Sequence, residues 1–209
     1  MSKRNRSILF SVLVGIILGL MILFLFYINT HRYLFSEQIY NIFATSDTPY
    51  DYGLEPQSEE WYRLTTPERK RIYVIPEDII NDMSTKAFLE TILNNPYLVD
   101  IHAYDSIIMG IDSKESVMHI KKFLSREDAL SVLEDKITEL SEKYGLTVEN
   151  WDLKEDEKLT SIVNSGLEDD ALRDDISNLF DCCLFHKYIV NDWFNPENYQ
   201  STIMVENPE

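Results

Sequence analysis

From Ile8 to Ile28 the chain runs for about twenty-one residues without a charge. A helix rising 1.5 Å per residue needs roughly 20 such residues to cross a hydrocarbon core ~30 Å thick. The segment therefore reads as a transmembrane helix. Lys3, Arg4 and Arg6 precede it, and the first acidic residue is Glu37. The positive-inside bias then places residues 1–7 in the cytoplasm and the chain beyond Thr30 outside, with Arg32 outvoted. A cleaved signal peptide is the rival reading. It would have a shorter apolar core and a small-x-small cleavage site, and the exit LFLFYINTHRY supplies no such site. Phe24, Phe26, Tyr27 and Tyr33 gather at the outer end, as rings do at a membrane interface. Gly15 and Gly19 form a GxxxG pair through which two anchors could pack as a homodimer. Glycine is frequent in membrane helices, so two tolerated glycines are the simpler reading.

The formal charge of the chain is −17. Removing the first 32 residues takes away four of the 19 basic side chains and none of the 36 acidic ones, leaving −21 outside the membrane. Such a surface repels nucleic acid and anionic polymers and favours cationic partners. Aromatic residues at 12% argue against an acidic disordered tail, so the external part is expected to fold as one domain of about 150 residues. Cys182 and Cys183, the only cysteines, are adjacent, which excludes a disulfide framework. Packing as small apolar side chains is the first reading; a vicinal or intermolecular bridge is the second.

Beyond the anchor, residues 29–58 form an expected stalk. His31 to Ala44 continues helically, and a linker rich in Pro, Gly, Asp and Ser follows. A globular unit over 59–194 and a polar tail over 195–209 complete the chain. Helix starts punctuate the unit. Thr65 or Thr66 caps a helix with Pro67 and Glu68 in its first turn, and Met83, Ser84 and Phe88 form a staple and cap for a helix ending near Leu93. Asn95 and Pro96 open a helix carrying Tyr97, Ile101, Tyr104 and Ile108, and Asp112 with Glu115 starts a short one with Val117, Ile120 and Leu124. Ser125 and Asp128 start the clearest helix, with the stripe Leu130, Leu133, Ile137, Leu140 and Tyr144 and a stop at Gly145. Asp152 with Glu155, and Ser165 with Glu168, introduce two more, the second burying Leu172, Ile176, Leu179 and Cys183. No 20- to 50-residue period repeats. The fold class expected is all-α: one N-terminal transmembrane helix, then one compact multi-helix extracytoplasmic domain of about eight short helices.

The blocks Trp61–Leu64, Pro76–Glu77, Met83–Thr85, Leu89–Thr91, Pro96–Tyr104 and Arg126–Ala129 carry a resemblance. Together they resemble a family of secreted or membrane-anchored all-helical proteins of Gram-positive bacteria for which no activity is known. The resemblance spans Trp61 to about Tyr144. It implies location, a helical fold and a bacterial source, and it brings no reaction.

No chemistry is legible. His31, His102, His119 and His186 form no HExxH or other close pairing, so no metal site is read. Asp152, Glu155, Asp156 and Glu157 lack the ligand order and central glycine of a calcium loop. There is no G-x-S-x-G elbow and no phosphate-binding glycine loop. Cys182 or Cys183 with His186 is a thiol and imidazole on one helix, in an apolar stripe where core packing explains it better. No catalytic residue and no cofactor is therefore assigned. Asp100, His102 and Asp105 cannot all face the core, and they are taken as a partner-binding face. The expected function is a non-catalytic, membrane-anchored binding module for a protein or cationic peptide. The alternatives are an envelope enzyme with a dispersed site and a structural subunit of a membrane complex.

Overall fold

The computed structural model describes residues 3–150, 152–154, 157–165 and 169–191. In chain order these form α1 (Lys3–Thr30), α2 (Ser36–Phe43), α3 (Glu59–Arg63), α4 (Thr66–Ile72), α5 (Glu77–Asp82), α6 (Thr85–Leu93), α7 (Ile107–Met118), α8 (Ile120–Leu124), α9 (Ala129–Tyr144), α10 (Glu157–Ser165) and α11 (Asp170–Val190). The 3₁₀ turns Arg32–Leu34 and Leu98–Ala103 interrupt them, and β1 (Val148–Glu149) pairs antiparallel with β2 (Asp152–Leu153). The protein is mostly helical. Within α1, the stretch Val12–Thr30 is long and apolar enough to cross a membrane, and none of it is buried against the body.

Local capping decides the helix starts that the sequence shows plainly. The backbone N–H of Thr65 donates to Glu68 Oε2 at 2.8 Å, and Ser84 Oγ accepts from the Ala87 N–H at 3.3 Å, so α4 and α6 begin where their caps stand. α9 keeps its stripe: Leu133, Ile137 and Leu140 are buried, and Gly145 ends the helix at φ +59°. Other starts lie elsewhere than expected. The single helix read from Asn95 is a 3₁₀ turn followed by α7, which Ser106 caps by accepting from the Met109 N–H at 3.3 Å. Asp112 is therefore inside α7 and starts nothing. His119, at φ +53°, separates α7 from α8. Asp152 belongs to β2 rather than to a helix, and α11 is capped by Asp169, which accepts from the Leu172 N–H. Glu155, Asp156, Glu168, Phe194 and the tail 195–209 lie outside the described residues.

The stalk boundary also changes. Tyr50, Tyr52 and Leu54 are buried in the same core as Ile80, Phe88, Ile92, Leu133 and Leu179, so the folded body begins before Glu59. Polar bonds hold this strip: the Tyr50 N–H donates to Thr91 Oγ1 at 2.9 Å and the Tyr52 hydroxyl to the Thr91 carbonyl at 3.1 Å. Gly53, at φ +69°, sits so close to Arg32 and Tyr33 that a Cβ would lie 2.7 Å from their backbone. A segment with the composition of a linker thus serves as packing between the end of α1 and the body.

The segments Met83–Thr85 and Arg126–Ala129 meet across the core. The Arg126 guanidinium donates to the carbonyls of Ile80 and of Met83 (2.8 Å to the latter) and stacks 4.8 Å from the centroid of Phe88. Two residues on, Asp128 accepts from the Thr85 hydroxyl at 2.5 Å. One charged side chain thereby closes the α5–α6 corner against α9. Cys182 and Cys183 are buried and unbonded, and burial pushes the Cys183 thiol up to about 11.

α7 comes close to the Leu98–Ala103 turn at Gly110. A Cβ on Gly110 would fall 2.2 Å from the Ile101 carbonyl oxygen. Gly110→Ala is therefore expected to destabilise the protein by about 1–3 kcal/mol through overpacking. Leu133→Ala, at a fully buried position, should cost about 2–5 kcal/mol. Chemical denaturation of both variants checks this. A Gly110→Ala midpoint equal to wild type would show that the turn does not seat on α7 as described.

Candidate functional site

Along α11, Arg173, Asp174, Ser177, Asn178, Phe180 and Asp181 recur at helical spacing and line one wall of a groove. The opposite wall is the Leu98–Ala103 turn with Val99 and His102, and Asn94 to Pro96 close one end. The cavity is about 630 Å³. Val99 is 69% exposed and Phe180 46%, so its rims are apolar and open to solvent.

His102 and Asp181, 79 residues apart, meet in this groove with Nε2 and Oδ1 2.8 Å apart. The carboxylate is buried and the imidazole about half-exposed. With Asp181 ionised as the acceptor, Nε2 carries the shared hydrogen. The bond to Asp181 raises the imidazole above its ordinary value. Burial pushes the Asp181 carboxyl up, against the opposing pull of His102. The couple therefore holds a proton more readily than either group would alone in water.

The expected face of Asp100, His102 and Asp105 is not a single face. Asp100 turns to the side and accepts from Lys114 Nζ at 2.7 Å; the Lys114 side chain is buried and lies 5.5 Å over the Tyr97 ring. His102 enters the groove. Asp105 is exposed and makes no hydrogen bond or ion pair among the described residues. The structure thus brings His102 to Asp181 and spends Asp100 on neutralising a buried ammonium. The one sequence signal for Asp181 is a charge amid the buried run Leu179, Cys182, Cys183 and Phe185, which demands a partner.

A buried carboxylate orienting an imidazole is two-thirds of a nucleophile–base–orienter set. Ser177 lines the same groove, but among the described residues it makes no hydrogen bond to His102. The geometry supplies a positioned proton and a charge-bearing floor, and the set stops short of an activated nucleophile. Among the described residues no three His, Cys, Asp or Glu side chains converge as metal ligands. His186 lies 3.3 Å from Glu134, a contact that turns it to α9. The Cys182 thiol, held well above its ordinary value by burial, is not poised as a nucleophile. Gly15 and Gly19 meet no atom within 4 Å, so that side of α1 is open. No family model, no curated protein and no solved structure matches the chain.

Both ion pairs make testable demands on stability. His102 and Asp181 each have folded values above their unfolded ones, so their contribution is fully present below the unfolded values and is lost as pH rises through the folded ones. Thermal melts from pH 6 to 8 should fall for wild type and flatten for His102→Gln. A wild-type slope equal to that of the variant would show that the couple does not titrate in this window. Asp100→Asn leaves the buried Lys114 ammonium without its carboxylate and should cost about 1–3 kcal/mol in denaturant melts. An unchanged midpoint would mean that Lys114 finds another partner.

Proposed function

We propose that the protein is a single-pass membrane-tethered binding module. Its N-terminus lies in the cytoplasm and its body outside, where the α11 groove holds a cationic peptide segment of a partner without turning it over. The groove carries this reading: the exposed carboxylate of Asp174, beside the His102–Asp181 couple, lies between exposed Val99 and Phe180. A basic peptide with apolar side chains complements both features. Arg173, the cation on the same wall, is paired with Asp170 at 2.7 Å and makes no ion pair with Asp174 among the described residues. The excess of acidic over basic residues beyond the anchor supports the same class of partner and disfavours nucleic acid. The basic flank of α1 and an exit without a small-x-small cleavage pattern support the orientation, and the resemblance to Gram-positive envelope proteins agrees with a cell-surface setting. The open glycine side of α1 suits a second anchor, so dimerisation through Gly15 and Gly19 would present two grooves.

The test titrates full-length protein in phosphatidylcholine nanodiscs with a synthetic Lys/Leu peptide. Asp174→Asn combined with Phe180→Ser, both at solvent-accessible positions, should weaken binding about tenfold, a loss near 1.4 kcal/mol. Raising salt should weaken wild-type binding as screening shortens below ~8 Å. Equal affinity in all three conditions excludes the groove. Peptide fragments accumulating with time would instead favour the enzyme with a dispersed site.

A further inference from the structure

The segment immediately beyond α1 carries large apolar side chains that the core does not use. Leu34 is 52% exposed, Ile42 71% and Phe43 78%. α2 has three sides. Ser36 and Tyr40 face the body, the first 3.0 Å from the Tyr50 hydroxyl and the second donating to the Thr48 carbonyl at 2.8 Å. Glu37, Gln38 and Asn41 form a polar side. Phe35, Ile39, Ile42 and Phe43 fall together on the third side by helical spacing.

The bonds to Tyr50 and Thr48 fix the roll of α2, so the apolar side is held outward rather than free to turn inward. That side is also continuous with the apolar surface of α1. The Phe35 ring packs edge-on against Tyr27 in the last turns of α1, with centroids 6.3 Å apart. The bend between the two helices is braced by the Arg32–Asp51 ion pair at 2.8 Å and by Gly53 seated against the backbone of Arg32 and Tyr33. Apolar surface thus runs from the anchor, through Tyr27 and Phe35, to Ile39 and Ile42.

We propose that α2 is an in-plane foot lying at the boundary between headgroups and acyl chains of the bilayer that α1 crosses. Ile39, Ile42 and Phe43 are immersed, and Glu37 and Asn41 stay in the aqueous layer. The inference rests on reading α1 as a span. The occupant of the face is lipid because the exposed strip is continuous with the span itself and begins within a few residues of its end. Glu37 is the one charged residue of α2, so attachment depends on apolar contact and does not require anionic lipid. The foot would hold the body at fixed height and tilt, and so fix where the α11 groove faces.

The experiment uses the full chain in phosphatidylcholine vesicles, with a polarity-sensitive fluorophore on Leu20→Cys, Ile42→Cys or Asn41→Cys. Unmodified protein is the labelling control, since Cys182 and Cys183 are buried. With lipids brominated along the acyl chains, the probes at 20 and 42 should lose most of their emission and the probe at 41 little. Quenching at 20 with unquenched, water-like emission at 42 overturns the foot and leaves the span standing. Blue-shifted emission at 42 that lipid does not quench, and that reverts when copies are diluted into excess lipid, overturns it in favour of a second copy of this chain. No quenching at 20 overturns span and foot together.

Discussion

The buried amide of Asn95 holds the body closed. Its Nδ2 donates to the Tyr73 carbonyl and to the Tyr52 hydroxyl, each at 3.1 Å, and its Oδ1 accepts from the Tyr97 N–H at 3.0 Å. One side chain, 2% exposed, thereby ties three stretches of chain. Leaving any of these groups unpaired in the core would cost about 1–3 kcal/mol each. Thr91, one turn earlier, binds the same returning strip through Tyr50 and Tyr52. Because that strip also cradles Arg32 and Tyr33 at Gly53, the end of α1 is joined to the domain instead of hanging from a tether.

A chain this acidic has few cations, and much of its folding uses them internally. Arg126 is committed to the carbonyls that end α5. Lys114 is committed to Asp100, and Lys136 lies 2.9 Å from Glu90 and 3.3 Å from Glu139. Arg69 donates to the Leu64 carbonyl at 3.1 Å and stacks 4.8 Å from the Trp61 ring. With 36 acidic side chains against 19 Lys and Arg, carboxylates outnumber the cations whether or not those cations are placed at such junctions. That excess makes the chain's net charge negative, the property on which the proposal of a cationic segment draws. The groove adds shape to that field, and the bracing of α1 against the body adds orientation.

What could be read from residues alone was what neighbours within a turn decide. The uncharged run and its basic flank, the caps at Thr65 and Ser84, the stripe of α9 and its stop at Gly145 depend on contacts no more than about four residues away. The break at Tyr104 was not readable, because the apolar spacing continues through it while Gly110 and Ile101 demand a separate turn packed against α7. The strip at Tyr50 and Tyr52 looked like linker because Pro, Gly and Asp are abundant there, and its aromatic residues find their partners some forty residues away. Local sequence also placed His102 among polar candidates without showing its use. Only the tertiary structure paired it with Asp181 and turned Asp100 to Lys114, since burial and separation along the chain decide which charges must neutralise one another, and neither is a property of a short stretch of sequence.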